Sequence, residues 1–289
     1  MPDSFSPGHF RSDQDQESKS KDFSGTCWQV NPSSLLPIAL EAVALGSALA
    51  TKARPETVVY KNEKDPVTEV DVAVERTVRD FLRTRTPDIA FLGEEEGLTG
   101  SGDLMWALDP IDGTVNFAHG LPMCAVSLGL VREGTTSVLG VVDLPFLGER
   151  YYAAEGAGAF DIDGNRLVHR PRPLAESLVA IGDFAYGDGA DERNAYRFGF
   201  VSRLVPHIQR VRILGSAVTD LACLAAGKVD AVVLYNNTPW DMAAGSVICR
   251  EAGLTVADHD GTPHTMRSKA IVAGGAETVA SIVDLLSER

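Results

Sequence analysis

The chain has 289 residues and carries 26 lysines and arginines against 40 aspartates and glutamates, a formal net charge of −14. That length buries a substantial core, as one large domain or two closely packed halves, and the charge argues against nucleic acid or an anionic membrane as partner unless cations intervene. Cys27, Cys124, Cys223 and Cys249 show no C-x-x-C spacing and no nearby histidines, so neither a zinc site nor a disulfide framework is expected, and a reducing cytoplasm suits them.

Residues 1–31 are rich in Ser, Asp, Gln and Lys and too poor in apolar side chains to repay the entropy of ordering; a disordered tail is expected. Its polar start does not read as a signal peptide, and no apolar run is expected to approach the roughly 20 residues that span a bilayer. From Pro32 the pattern becomes helical: Leu35, Leu36, Ile38, Ala39, Val43 and Ala44 share a face up to about Ala50, and Val70, Val74, Val78, Phe81 and Leu82 mark a second helix. Short apolar runs bounded by turn residues follow, at 89–92, 104–108, 125–131, 138–144 and 150–154. The last three have no helix between them and read as an antiparallel meander, with 156–160 as one of its turns. After about residue 175 the pattern alternates: strand 178–182, helix 191–205, strand 210–214, helix 217–226, strand 230–235, helix 241–252, and a last helix near 277–287. An α+β half, about 32–170, thus joins an α/β half, about 171–289, in a mixed α/β domain over 32–289.

The most informative string is Trp106-Ala107-Leu108-Asp109-Pro110-Ile111-Asp112-Gly113-Thr114-Val115-Asn116-Phe117. An apolar strand delivers two aspartates at its end, Pro110 is expected to stiffen a turn between them, and Gly113 lets backbone amides approach a ligand. A helix starting at Gly113 or Thr114 would set free N–H groups beside two carboxylates. Carboxylates and a phosphate repel each other unless a divalent cation lies between them, and an all-oxygen cluster favours Mg²⁺. Glu94, Glu95 and Glu96 follow a strand, where ligand sites of α/β folds form, although charge runs are commonly solvated loops. Thr68-Glu69-Val70-Asp71 reads first as a capping box, and Asp241 in Pro239-Trp240-Asp241 as an N-cap. The adjoining Ala243-Ala244-Gly245 suits close packing.

Together, Asp65-Pro-Val-Thr-Glu-Val-Asp71, Gly93-Glu94-Glu95, Trp106 to Phe117, Gly215-Ser216-Ala217 and Trp240-Asp241 running to Glu251-Ala252-Gly253 resemble the inositol monophosphatase family, from about residue 33 to the end of the chain. The resemblance implies a layered α-β-α-β-α sandwich, a homodimer, a small phosphorylated substrate and two or three Mg²⁺ ions. Glu94, Asp109 and the Ile111 carbonyl would hold the first ion, and Asp109, Asp112 and Asp241 the second. Asp71 with Thr114, assisted near Glu94, would orient and deprotonate the attacking water. The Gly113 and Thr114 N–H groups would hold phosphate oxygens, and Asp112, Ala217 and Asp241 would also meet the substrate. Leu234 departs from the pattern: inositol enzymes of the family tend to carry there a Glu that meets a sugar hydroxyl, a place Asn236 or Asn237 could take. Leu254 stands where a small residue is common, and a family lysine corresponds to Lys61 or Lys64.

Inositol-1-phosphate phosphatase activity is therefore expected, with histidinol-phosphate or 3′-phosphonucleotide hydrolysis as the alternative. A covalent aspartyl route would need D-x-D, whereas Asp109 and Asp112 are one residue further apart, and no cysteine has the C-x5-R spacing of a thiol phosphatase. A non-catalytic regulatory member would be expected to have lost metal ligands, and here all are present.

Overall fold

Asn31 caps the first helix, accepting the Ser33 N–H at 3.1 Å, and α1 (Pro32–Lys52) runs from there. In this computed structural model the described residues are 31–53, 58–62, 65–235 and 238–288. The expectations for the tail, for Lys64 and for Asn236 and Asn237 lie outside the described residues, as does the side chain of Lys61. Asn31–Arg289 forms one compact unit.

Contrary to expectation, one segment does have the length and apolar composition to cross a membrane: α1, with 21 residues. Its composition has another use, because Ala39, Ala42, Val43 and Ala50 are at most 2% exposed and pack on α2 (Glu69–Arg85) and on the first sheet. Small residues let two helices and a sheet approach closely, and that face is what the periodicity marked.

A hairpin of β1 (Val58–Asn62) and β2 (Asp65–Thr68) leads into α2. The first sheet has seven strands, β3 (Ala90–Gly93), β4 (Gly97–Thr99), β5 (Leu104–Asp112), β6 (Ala125–Arg132), β7 (Thr136–Leu144), β8 (Glu149–Ala154) and β9 (Gly158–Asp161), in the order β4-β3-β5-β6-β7-β8-β9. β6 to β8 form the expected meander, which β5 and β9 extend at either end; residues 156–160, expected as a turn, instead lead into β9, which pairs with β8, and β3 and β5 are parallel, so their carboxyl ends lie side by side. After the short α3 (Thr114–Ala118) within that sheet's connections, the second half supplies β10 (Leu178–Ile181), α4 (Ala190–Leu204), β11 (Arg210–Arg212), α5 (Ala217–Ala225), β12 (Ala231–Tyr235), α6 (Pro239–Glu251), β13 (Thr255–Ala257), β14 (Ala270–Gly274) and α7 (Ala276–Ser287). Its sheet runs β11-β10-β12-β14-β13, parallel around β10 and antiparallel around β14. Strands β13 and β14 have no counterpart among the elements expected from the sequence, where nothing regular is assigned between 252 and 277.

The layers follow from which residues each strand sends to which side. α1 and α2 cover one face of the first sheet, α5 and α6 lie between the sheets, and α4 and α7 cover the far face of the second. Along β12, Val232 and Leu234 join the core around α5 and α6, whereas Ala231 and Val233 join the core with Phe200, Leu204 and Ile282. The α-β-α-β-α arrangement is thus present. α6 is seated directly on the first sheet: a Cβ added at Gly129 would stand 2.4 Å from the Ala243 Cβ, and one at Gly140 2.5 Å from the Ala244 carbonyl. The Ala-Ala-Gly run packs closely, as expected, and that contact places the start of α6 over the end of β5.

Candidate active site

Asp109 and Asp112 leave the carboxyl end of β5. The sequence suggests a turn at Pro110, but the strand continues through it, with three residues from Asp109 to Asp112 set against two from Ser127 to Ala125 on β6. This is a bulge, the one place inside a sheet that tolerates a proline, and it aims both carboxylates at the same end of the sheet. Gly113 follows at φ 83° and caps α3; a Cβ there would be strained and would stand 2.9 Å from the Met123 carbonyl.

Four further elements converge here. Glu94 stands just after β3, beside the end of β5. Its loop is held from below by Glu75 of α2, a fully buried carboxylate that accepts the Glu95 and Glu96 N–H groups, both at 2.8 Å. A Cβ on Gly93 would fall 2.3 Å from that carboxylate, so only glycine fits. At the start of α2, Asp71 accepts the Thr68 N–H at 2.9 Å, which is the expected capping box, while its Oδ1 faces the Thr114 hydroxyl at 3.2 Å. That hydroxyl is also 3.0 Å from the Ile111 carbonyl, so its single proton serves one acceptor at a time. Asp241 is not the N-cap of its helix, as the sequence suggested: Thr238 is, and Asp241 takes the Thr238 N–H at 2.9 Å. Finally, the N-terminus of α5 grips Asp112, whose Oδ2 accepts the Ser216 hydroxyl and the Val218 N–H, the latter at 2.7 Å.

Carboxylate oxygens of Asp109, Asp112 and Asp241 all lie within 4.8 Å of one another. With Glu94, Ile111 and Thr114 they line a cavity of about 250 Å³. Among the described residues, none of the three has an ion-pair partner. Burial drives their protonation first and mutual repulsion adds to it. Asp109, 2% exposed, is pushed well above the usual carboxylate range by burial and then by the charges of Glu94, Asp112, Asp241 and Asp71. Burial raises Asp112 to about 6 against the opposing hydrogen bonds from Ser216, Val218 and Ala217. Asp241 is raised to about 7 by burial and by Asp112. Asp71 is raised by burial, less the hydrogen bonds it accepts from Thr68 and Thr114.

One oxygen of the cluster stands apart from the rest of its hydrogen bonding. Asp109 Oδ1 is buried and has no hydrogen-bond partner, a state that polar atoms in a folded core rarely occupy. Facing two other carboxylates, it belongs to a donor set made of hard oxygens, which suits a hard cation.

Of the residues singled out in the sequence, Glu94, Asp109, Ile111, Asp112, Gly113, Thr114 and Asp241 line the cavity, Asp71 adjoins Thr114, and Ala217 lines an adjacent cavity with Asp112 and Leu234, whereas Glu96 pairs with Arg76 and Arg79 and Leu254 packs in the core around α5 and α6. Two supporting residues went unassigned. Glu75 lies one turn beyond Asp71 on the same face of α2, a spacing that could have marked it. Asn116, inside the twelve-residue string, donates its amide protons to the Met123 carbonyl at 2.7 Å and the Leu214 carbonyl at 2.8 Å, tying α3 to the segment before α5. No local pattern points to a contact of that range.

A sequence profile of the inositol monophosphatase family matches residues 31–288. The chain is 38% identical over 226 residues to a protein of Thermotoga maritima named fructose-1,6-bisphosphatase/inositol-1-monophosphatase, covering 78% of this chain and 84% of that one. It is 35% identical over 257 residues to a Pseudomonas aeruginosa protein named Nus factor SuhB, covering 86% and 94%. Among solved structures, the extragenic suppressor protein suhB from Bartonella henselae superposes with a TM-score of 0.82 at 30% identity, over 88% of this chain and 99% of that one.

Proposed function

The chain belongs to the inositol monophosphatase family, and from that premise we propose that this phosphatase is a Mg²⁺-dependent hydrolase of small phosphate monoesters that uses activated water and no covalent intermediate on the protein. The observation that carries the reading is the unpartnered oxygen of Asp109 inside a buried cluster made only of carboxylates. Glu94, Asp109 and the Ile111 carbonyl would hold one ion, and Asp109, Asp112 and Asp241 another. Bound there, Mg²⁺ would neutralise the ester's charge and acidify water.

The chain's own groups account for the remainder. The Asp71 carboxylate, fixed by Thr68, accepts a hydrogen bond from the Thr114 hydroxyl, which keeps its proton and leaves the threonine oxygen free to accept from outside. A water donating to Thr114 is oriented for in-line attack at phosphorus, and Asp71 is the nearest base for its proton. The Gly113 and Thr114 N–H groups bind the phosphate oxygens. Asp112 is held by Ser216 and Val218, so its remaining oxygen has one orientation.

In substrate terms, an inositol-1-phosphate-like ester is our first choice, with histidinol phosphate or a 3′-phosphonucleotide next; buried Leu234 occupies the usual hydroxyl acceptor's place. Buried, unpaired Cys124, Cys223 and Cys249 suit a reducing cytoplasm, and a homodimer is carried over from the family. The test is phosphate release from a panel of such esters with Mg²⁺ and with chelator. Mg²⁺-dependent release from one preferred ester supports the reading, and none from folded protein overturns it. Similarity to a Nus factor favours a regulatory second reading, in which a Mg²⁺-inactive protein would bind transcription components.

A further inference from the structure

One short segment walls two cavities at the end of β5. Asp183 borders the cavity around the carboxylate cluster and also a second, of about 390 Å³, where Phe184, Ala185 and Tyr186 stand beside it across from Ala217 and Leu234. These four residues belong to no strand or helix: β10 stops at Ile181, the Gly182 N–H still reaches the Val233 carbonyl at 3.1 Å, and α4 begins only at Ala190. Backbone outside a sheet must find partners for its polar groups elsewhere, and here one face of α4 supplies them. The Asn194 amide pairs with Ala185 in both directions, accepting its N–H at 2.7 Å and donating to its carbonyl at 2.8 Å, as a neighbouring strand would. Arg197 donates to the Asp183 carbonyl, and Arg193 to the Tyr186 carbonyl at 3.0 Å. Phe198 lays its ring on Phe184, with centroids 4.4 Å apart and planes 22° apart. Positions 193, 194, 197 and 198 share one side of a helix, so each of the four wall residues is held by one side chain from the same face.

We propose that Asn194 is a positioning residue for the substrate: by pairing with Ala185 it fixes residues 183–186 as the wall against which the leaving-group portion of the ester binds, and so sets KM without acting on the metal ligands. The inference rests on the phosphatase reading. Of the four contacts, that of Asn194 alone satisfies both polar groups of a wall residue, and it does so in the middle of the segment. The carboxylates are held by other devices, Glu94 through the loop on Glu75, Asp112 by α5 and Asp241 by Thr238, in whose bonds α4 takes no part. The phosphate end and the leaving-group end of the site are therefore built separately, and a change at Asn194 moves the second while sparing the first. Geometry for the ester is lost when its wall shifts, even though Asn194 itself touches no substrate atom.

The test compares the full chain with Asn194→Ala and with Arg203→Ala, a control that cuts a different bond of the same helix, to the Leu285 carbonyl at 2.9 Å. Alanine is a good helix former at both positions, so both variants should fold. With Mg²⁺ and myo-inositol 1-phosphate, or the ester of the panel that the wild type prefers, Asn194→Ala should raise KM about tenfold and change kcat less than about twofold. The inhibition constant of inorganic phosphate, which needs only the end beside Asp109, and the Mg²⁺ requirement should stay within about twofold of wild type, and Arg203→Ala should leave KM alone. An unchanged KM in Asn194→Ala, an equal rise in Arg203→Ala, or a shift in phosphate inhibition or Mg²⁺ requirement as large as that in KM overturns the proposal. A wild type that releases phosphate from no ester sinks the phosphatase reading instead. Hydrogen exchange in the unliganded proteins then decides the clamp without turnover: the Ala185 amide should exchange about tenfold faster in Asn194→Ala and not in Arg203→Ala, and equal exchange in all three proteins refutes it.

Discussion

Asp71 and Asp241 hold the same position in two different helices. Each stands three residues after a threonine N-cap, Thr68 in α2 and Thr238 in α6, and each accepts that threonine's backbone N–H at 2.9 Å. The helices lie on opposite faces of the first sheet, so one local device is used twice to aim a carboxylate at the end of β5. An ordinary capping box stabilises a helix by about 1 kcal/mol. Here it also fixes one oxygen of each carboxylate and leaves the other for the site.

Replacing either of two clustered aspartates should have opposite effects on stability and activity. Asp112→Asn and Asp241→Asn each remove a buried charge that burial and its neighbours oppose. Without metal, the variants should melt above the wild type near pH 8. With Mg²⁺ they should need about 10–100-fold more of the ion and turn over far more slowly. Melting in chelator and phosphate release against Mg²⁺ concentration check both arms; near-normal activity at ordinary Mg²⁺ would remove these residues from the ligand set.

The same carboxylates set a pH dependence. Asp112 and Asp241 titrate at about 6 and about 7, above the usual carboxylate value, so the fold favours their protonated forms. Their contribution to stability is therefore present in acid and lost as pH rises through 6 to 7, and each tenfold gain in proton affinity on folding is worth at most about 1.4 kcal/mol. In chelator the melting temperature should fall between pH 5 and 8, and Mg²⁺ should reverse the fall. A flat profile in chelator would contradict the raised values at both aspartates.

Thr114→Ala removes the hydroxyl between Asp71 and the position of the attacking water but touches little of the core. We expect kcat to drop about 10²–10⁴-fold with KM little changed, and Thr114→Ser to restore most of it, as steady-state kinetics would show. A rise in KM alone would place Thr114 in ground-state binding instead.

Glu75→Gln tests the support beneath Glu94. One of its two backbone N–H acceptors becomes an amide donor facing another donor, at a cost of about 1–3 kcal/mol. The displaced loop should also raise the Mg²⁺ requirement, measured as above. Loss of stability with unchanged Mg²⁺ dependence would make Glu75 purely a fold residue.

Most elements were legible because their apolar periods were long. α2 repeats Val70, Val74, Val78 and Leu82 over four turns, and β6 to β8 alternate with glycine-marked turns. β13 has three residues at the sheet's edge beside β14, too few for any period to reveal it. Pro110 misled for a definite reason: local rules assign proline to a turn, while the register against β6 makes it a bulge. In the site, side chains aimed at the ion were readable as residue types at strand and helix ends. Asn116 was not, since it works through backbone carbonyls that only tertiary folding brings to it, and Glu75 was marked only by lying one turn beyond Asp71.

Asp112 is held by donors that lie 104 and 106 residues further along the chain. In the order of synthesis, β5 is complete long before its clamp exists, and Asp241 comes later still. Contacts of such separation are late and slow to close. Recovery of catalysis on refolding should therefore trail recovery of helix and sheet, which makes hydrolysis a report that the last long-range closure has been made.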